Sequence, residues 1–212
     1  MFSNTPIAII GGAGKSGKFV VQQLIQQNIP FRILLRRPAS YDLAIGQVVQ
    51  GDVRDIEAVR HVCQGCTVII STLGQTKGEP PVFSHATRNI LAVMKTLNIN
   101  RYILTTGLNV DTTLDKKGPV TLAGTNWMKQ HYPETTADKQ LEYELLAASE
   151  ADWTLVRLPL IGLTETTAPI AISLEDCPGT GIHGIDLARF LIFQTEDRNF
   201  VKQAPFLANN YS

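Results

Sequence analysis

The feature that most constrains this chain is a glycine-rich turn, Gly11-Gly12-Ala13-Gly14-Lys15-Ser16-Gly17, set between an apolar run and a segment with helical spacing. Ile7–Ile10 is apolar at every position, as a strand buried on both faces of a parallel sheet must be. Beyond the turn, Val20 and Leu24 recur four apart, as do Val21 and Ile25, while Lys18, Gln22, Gln23 and Gln26 point elsewhere. That pattern predicts a helix over 14–27, closed by Asn28 and Pro30. The three spaced glycines meet three needs. Gly11 allows a tight turn, Gly14 lets backbone approach an anion without a Cβ in the way, and Gly17 lets the helix pack closely on the strand. Amides at the helix start, from Ala13 through Lys15 and Ser16, then suit phosphate oxygens.

The rest of the chain repeats the alternation. Strands are predicted at Phe31–Leu35, Gln47–Gln50, Val68–Ser71, 102–105 and 153–157, and helices at 56–62, 82–97, 137–149 and 185–193. The stretch 109–136 lacks strong periodicity and is expected as a functional loop or lid. Strand–helix alternation with short connections gives an α/β fold, a Rossmann-type doubly wound parallel sheet of six or seven strands. The 212 residues suffice for a single domain, with 160–212 as a small C-terminal substrate-side segment. Ligands of such sheets sit at the carboxyl ends of the strands, at the switch point.

Composition narrows the ligand. Nineteen basic and nineteen acidic residues cancel, which argues against nucleic-acid or membrane-surface binding. No apolar run reaches the roughly 20 residues of a membrane span. The first residues, Met1 to Pro6, lack the basic flank and apolar stretch of a signal peptide. Three cysteines suit a reducing cytoplasm rather than a disulfide scaffold. The charge is not evenly spread. No acid precedes Asp42, whereas Lys15, Lys18, Arg32, Arg36 and Arg37 do. A locally positive first unit in a neutral protein suits a small polyanion.

The end of the second strand, Leu35-Arg36-Arg37-Pro38, identifies that polyanion. A dinucleotide fold selecting NAD places an acid there for the ribose 2′-hydroxyl. Here two guanidinium groups stand instead, and their planar forks suit a 2′-phosphate. The expected cofactor is therefore NADP(H), the alternative for Arg36 and Arg37 being a solvated basic loop. Asp52, with Val53, follows the third strand and is equally an acceptor for the adenine amino group or a turn or capping residue. Thr72, Leu73 and Gly74 end the fourth strand, where small residues let a nucleotide lie across the sheet edge.

The ordered set of Gly11-x-x-Gly14-x-x-Gly17, Arg36-Arg37, Gly51-Asp52-Val53, Thr105-Thr106-Gly107 and Trp153-Thr154-Leu155-Val156-Arg157-Leu158-Pro159 resembles the atypical short-chain dehydrogenases/reductases of the NmrA-like, NAD(P)-binding group. In size and tail the chain is similar to the biliverdin-IXβ/flavin reductase type. The resemblance implies either an NADP-dependent reductase or a relative that binds NADP without chemistry. It implies a Ser slot, filled here by Thr105 or Thr106, and a Tyr-x-x-x-Lys pair in which Tyr gives a proton and Lys holds the ribose. Lys139 fits the lysine slot, but Thr135 stands where the tyrosine would be. Tyr143 lies one turn the wrong way along the helix, and Tyr132 is too far before it. Thr106 and Lys139 are the candidate catalytic residues, with Thr105, Lys139 and Pro159 also beside the cofactor. Without the tyrosine, two readings stand. One is hydride transfer to a small acceptor needing little acid help, a flavin or quinone-like ring. The other is a redox-sensing regulator with a protein partner. A sugar-nucleotide epimerase is disfavoured, because it needs the tyrosine and a larger C-terminal lobe.

Other residues carry weaker signals. Cys63-Gln64-Gly65-Cys66 straddles a helix end and reads as packing, since a redox pair opens a helix. His61, His85, His131 and His183 have no ligand spacing, so no metal is expected. Lys139 is alternatively a solvated helix charge. Arg157 either braces the pocket or forms an ion pair, and Trp127 and Met128 either cover a ring or anchor their loop. Asp186 is expected to cap the last helix.

Overall fold

Ile7–Ile10 forms the central strand, β1, with all four side chains buried. Ile7 and Ile9 join one apolar cluster and Ala8 and Ile10 the other, so the strand is covered on both faces. The computed structural model describes residues 5–38 and 47–210. Residues 1–4, at the start of the stretch weighed against a leader, and Asp42 lie outside the described residues. The glycine turn leads into α1 (Gly17–Gln26), and Asn28, in the left-handed region at φ 54°, turns the chain toward β2 (Phe31–Leu35). There follow β3 (Gln47–Gln50), α2 (Ile56–Cys63), β4 (Val68–Ser71), α3 (Phe83–Leu97) and β5 (Arg101–Gly107). Then come α4 (Pro119–His131), α5 (Pro133–Ala147) and β6 (Asp152–Leu158).

β1 pairs in parallel with β2, Ile7 beside Phe31, and with β4, Ile7 beside Val68. The order β3-β2-β1-β4-β5-β6 reverses direction at β1, the switch point of a doubly wound sheet. The tail supplies β7 (Leu160–Gly162), β8 (Ile170–Ser173), β9 (Gly181–His183), α6 (Gly184–Phe193) and β10 (Phe206–Asn209). β10 joins β6 in parallel and β8 closes the edge antiparallel to β10, so among the described residues the sheet has eight strands rather than six or seven. β7 and β9 pair separately.

Helices α1 and α6 cover one face through Val20, Leu24, Leu187 and Leu191. Helices α2, α3 and α5 cover the other through Val59, Val62, Ile90, Met94 and Leu146. Among the described residues no helix is long and apolar enough to cross a membrane.

Two further expectations need correction. The stretch 109–136 is largely helical: it holds α4, and α5 starts at Pro133 rather than at 137. The buried residues of α4 are Thr121 and Thr125, so it has no apolar period to read. Polar ties fix it instead. Thr125 Oγ1 donates to the Leu108 carbonyl at 3.0 Å. The buried Lys117 ammonium donates to the Leu108 and Val110 carbonyls and pairs with Asp111 at 2.6 Å. Asp186 is not a cap. Its buried carboxylate accepts from the Ala168 amide at 3.0 Å and from Asn209 Nδ2 at 2.8 Å, tying α6 to β10.

Candidate functional site

The glycine turn is shaped by close packing. Gly11 has φ 78°, and a Cβ there would come within 2.8 Å of the Thr72–Leu73 backbone at the end of β4. A Cβ on Gly17 would lie 2.3 Å from the Gly11 carbonyl oxygen, so any other residue forces the helix off the turn. Thr72 closes the arrangement: its amide donates to the Ile10 carbonyl at 2.9 Å and its hydroxyl to the Gly11 carbonyl at 3.2 Å. Helix α1 has no acidic residue in its first turn and no side-chain cap from Ser16. The positive end of its dipole is therefore uncompensated at the turn, the electrostatic condition for holding an anion.

A cavity of about 410 Å³ opens at the carboxyl ends of β1, β2 and β3. Of the residues expected there, Gly11, Ala13, Gly14, Arg36, Arg37, Asp52, Val53, Leu73 and Gly74 line it. Lys15 and Ser16 lie on the turn, exposed and half-buried respectively, while Gly17 and Thr72 are packed beneath it. Asp52 is a turn residue as well as a wall: it accepts from the Arg54 amide at 2.9 Å and pairs with the Arg54 guanidinium at 3.3 Å. Asp55, not Asp52, caps α2 by accepting from the Glu57 amide.

Arg54 and Glu79 also line the cavity, and both were missed. Arg54 was legible in principle, two residues beyond Asp52 on the same turn. Glu79 carried no signal, because it arrives from the loop between β4 and α3.

A second group lies at the end of β5. Tyr102 and Leu104 face α3 and α5, so alternation puts Thr106, rather than Thr105, on that same face. The Thr106 hydroxyl is buried and, among the described residues, has no hydrogen-bond partner. Lys139 Nζ lies 4.8 Å from the Phe83 ring centroid and 3.8 Å from where a Cβ on Gly107 would stand. Lys139 is therefore not a solvated helix charge, and burial lowers its pKa against the opposing pull of Glu142.

Glu142, one turn along α5, is buried and accepts from Thr87 Oγ1 at 3.0 Å, which in turn lies 3.3 Å from the Tyr102 hydroxyl. Its second carboxylate oxygen has no partner among the described residues. Burial pushes its pKa up to about 7, against the pull of Thr87 and Lys139 and with a further push from Asp138. Asp138 accepts from the Phe83 and Ser84 amides and from the Ser84 hydroxyl, capping α3 from α5.

The remaining candidates are placed as follows. Thr135, at the tyrosine position, is buried, and Tyr143 packs edge-on against Trp153 in the core. Arg157 is an ion-pair residue: fully buried, it binds Asp115 at 2.5 Å and stacks on Phe206. Trp127 is half exposed on α4, stacked on His131 at 4.4 Å between centroids, and does not line the cavity. Cys63 and Cys66 are buried, their thiols pushed up to about 12 and about 11 chiefly by burial, which suits packing. Pro159 is half-buried at the β6–β7 joint. Among the described residues no group of three or more His, Cys, Asp or Glu could hold a metal ion.

A profile of the NAD(P)H-binding family matches residues 11–198, and the chain belongs to that family. Eugenol synthase 1 of Petunia hybrida is 31% identical over 123 residues, spanning 52% of this chain and 38% of that protein. The chain thus matches well under half the length of this curated relative. Solved structures share the fold across nearly the full chain. The anaerobillin reductase ChuY of Escherichia coli superposes with a TM-score of 0.77 at 19% identity, covering 98% of both chains. A Veillonella parvula short-chain dehydrogenase/reductase in complex with NADP superposes with a TM-score of 0.78 at 13% identity, covering 98% of this chain and 95% of that one. A Streptococcus pneumoniae protein described as a candidate NADH-flavin reductase gives 0.79 at 16% identity, covering 97% and 100%. The Rossmann-type fold expected from the sequence agrees with these neighbours.

Proposed function

We propose that this NAD(P)H-binding protein is an NADPH-dependent oxidoreductase acting on a small conjugated acceptor, a flavin or quinone-like ring. The observation that carries the reading is that the glycine turn and both arginines, Arg36 and Arg37, line one cavity at the switch point of the sheet. NADPH, when bound, supplies the hydride. The amides around Gly14, Lys15 and Ser16 hold the pyrophosphate at the start of α1, and Gly11 and Gly17 keep that turn tight. Arg36 and Arg37 take the 2′-phosphate through forked hydrogen bonds. Asp52 and Val53 border the adenine, and Thr72, Leu73 and Gly74 form the floor beside the ribose.

At the far end, Lys139 holds ribose hydroxyls beside Thr105 and Pro159, and the unpartnered Thr106 hydroxyl takes a carbonyl or amide oxygen. Thr135 gives no useful acid at the tyrosine position, so an acceptor whose proton comes from water fits better than a simple ketone. Its three free thiols fit a cytoplasmic protein.

The missing tyrosine also favours a second reading, an NADP(H)-responsive regulator that binds a protein partner without turnover. The two separate in one experiment. Purified protein is mixed with NADPH and a panel of flavins, quinones, linear tetrapyrroles and aldehydes, and absorbance is followed. Consumption with a flavin, quinone or tetrapyrrole is expected. Tight NADPH binding without consumption across the panel would hand the case to the regulator.

A further inference from the structure

Arg36, though about half exposed, is paired. Its Nη1 donates to both carboxylate oxygens of Glu79, at 2.9 and 2.8 Å, and its Nη2 to Thr76 Oγ1 at 3.3 Å. Arg54 approaches the same carboxylate, Nη2 lying 3.5 Å from Oε2. One acidic group thus sits on one terminal nitrogen of Arg36 and beside a second arginine, a pair of cations that also suits a phosphate monoester. All three side chains line the cavity.

We propose that the Glu79 carboxylate occupies the position of a ribose 2′-phosphate and thereby sets the balance between NADPH and NADH. The inference rests on the cofactor reading above and deepens it. A 2′-phosphate brings a charge of about −1.5 to −2 to a point where Glu79 already supplies one negative charge. The two like charges cannot share Arg36, so NADPH binds only as Glu79 leaves. NADH carries a hydroxyl there instead. Glu79 can stay on Arg36 and accept a hydrogen bond from that hydroxyl, the task an acid at the end of β2 performs in NAD-selective folds. The end of β2 has no such acid; the β4–α3 loop delivers one.

The loop is suited to release. The Arg36 and Glu79 side chains are 47% and 34% exposed, and ion pairs of that exposure are individually weak. The loop is held largely by its own short-range bonds, Gln75 Nε2 donating to the Thr76 and Glu79 carbonyls and the Glu79 amide to the Thr76 carbonyl. Gly78, at φ 80° with open space around it, forms its tip.

The test compares dissociation constants of NADPH, NADH, adenosine 2′,5′-bisphosphate and AMP for the full chain, wild type and Glu79→Gln, by calorimetry at fixed salt. Glu79→Gln is expected to tighten NADPH and the bisphosphate by about fivefold and to weaken NADH and AMP, which carry the same ribose 2′-hydroxyl. Opposite signs for the two cofactors are the diagnostic result, since a merely structural role would move both the same way. Arg36→Ala is measured alongside. If Arg36→Ala loses NADPH selectively but Glu79→Gln leaves the NADPH-to-NADH ratio unchanged, the role of Glu79 is overturned and the cofactor reading stands. If wild type binds neither cofactor at millimolar concentration, both fall.

Discussion

At the first crossover the protein keeps its charges near the surface; at the end of β5 it hides them. Arg36, Arg54, Asp52 and Glu79 are each about a third to a half exposed and neutralise one another across an open cavity. Lys139 and Glu142 sit between α3, α5 and β5, where burial lowers one pKa and raises the other. Water weakens the first set, so its pairs can exchange one anion for another. Removal from water makes the second set sensitive to every proton it holds. The backbone sharpens the contrast. The crossover is defined by glycines with no room for a side chain, whereas the β5 end has a hydroxyl with no partner among the described residues.

The largest effect tests the backbone side. Gly17→Ala puts a methyl 2.3 Å from the Gly11 carbonyl oxygen. It is expected to cost about 1–3 kcal/mol of stability and to abolish measurable NADPH binding, read by thermal melting and calorimetry. Retained affinity would mean that the turn can relax and that packing does not define it.

Next comes the buried acid. The pKa of Glu142, about 7 in the folded chain, lies above the ordinary 4.5. Its contribution to stability is therefore full below pH 4.5, falls as pH rises through about 7, and is flat above. Glu142→Gln should leave the melting temperature nearly unchanged at pH 4.5 and raise it at pH 8. The gain is at most about 3 kcal/mol, lessened by the attraction that Lys139 loses. An equal change at both pH values would show that the carboxyl titrates normally.

The smallest effect concerns Thr106. Thr106→Val removes a buried hydroxyl that lacks a partner among the described residues, so the free protein should gain up to about 1 kcal/mol while NADPH turnover falls. Loss of both stability and turnover would place that hydroxyl in a structural bond instead.

These two regions were not equally readable in the amino-acid sequence. β1 and β2 are continuous apolar runs, and the glycines and arginines follow them within a few residues, so that end of the site is local in the chain. The β5 end is assembled by contact between distant elements. Lys139 was legible only through its slot in a resembling family. Glu142 was passed over, though it stands four residues before the buried Leu146 on the inner side of α5, where an acid breaks the apolar stripe. Helix α4 was unreadable because it buries threonines and is held by Lys117 and Thr125 rather than by apolar packing. Glu79 shows the same limit from another side: its partner Arg36 is 43 residues away, and no local pattern announces the pair.

Asp138 and Lys139 are neighbours in the chain. The first fastens the start of α3 to α5, and the second aims an ammonium at the end of β5. Clamping two helices and pointing an ammonium are thus one mechanical act, and a tilt of either rod swings the charge with it.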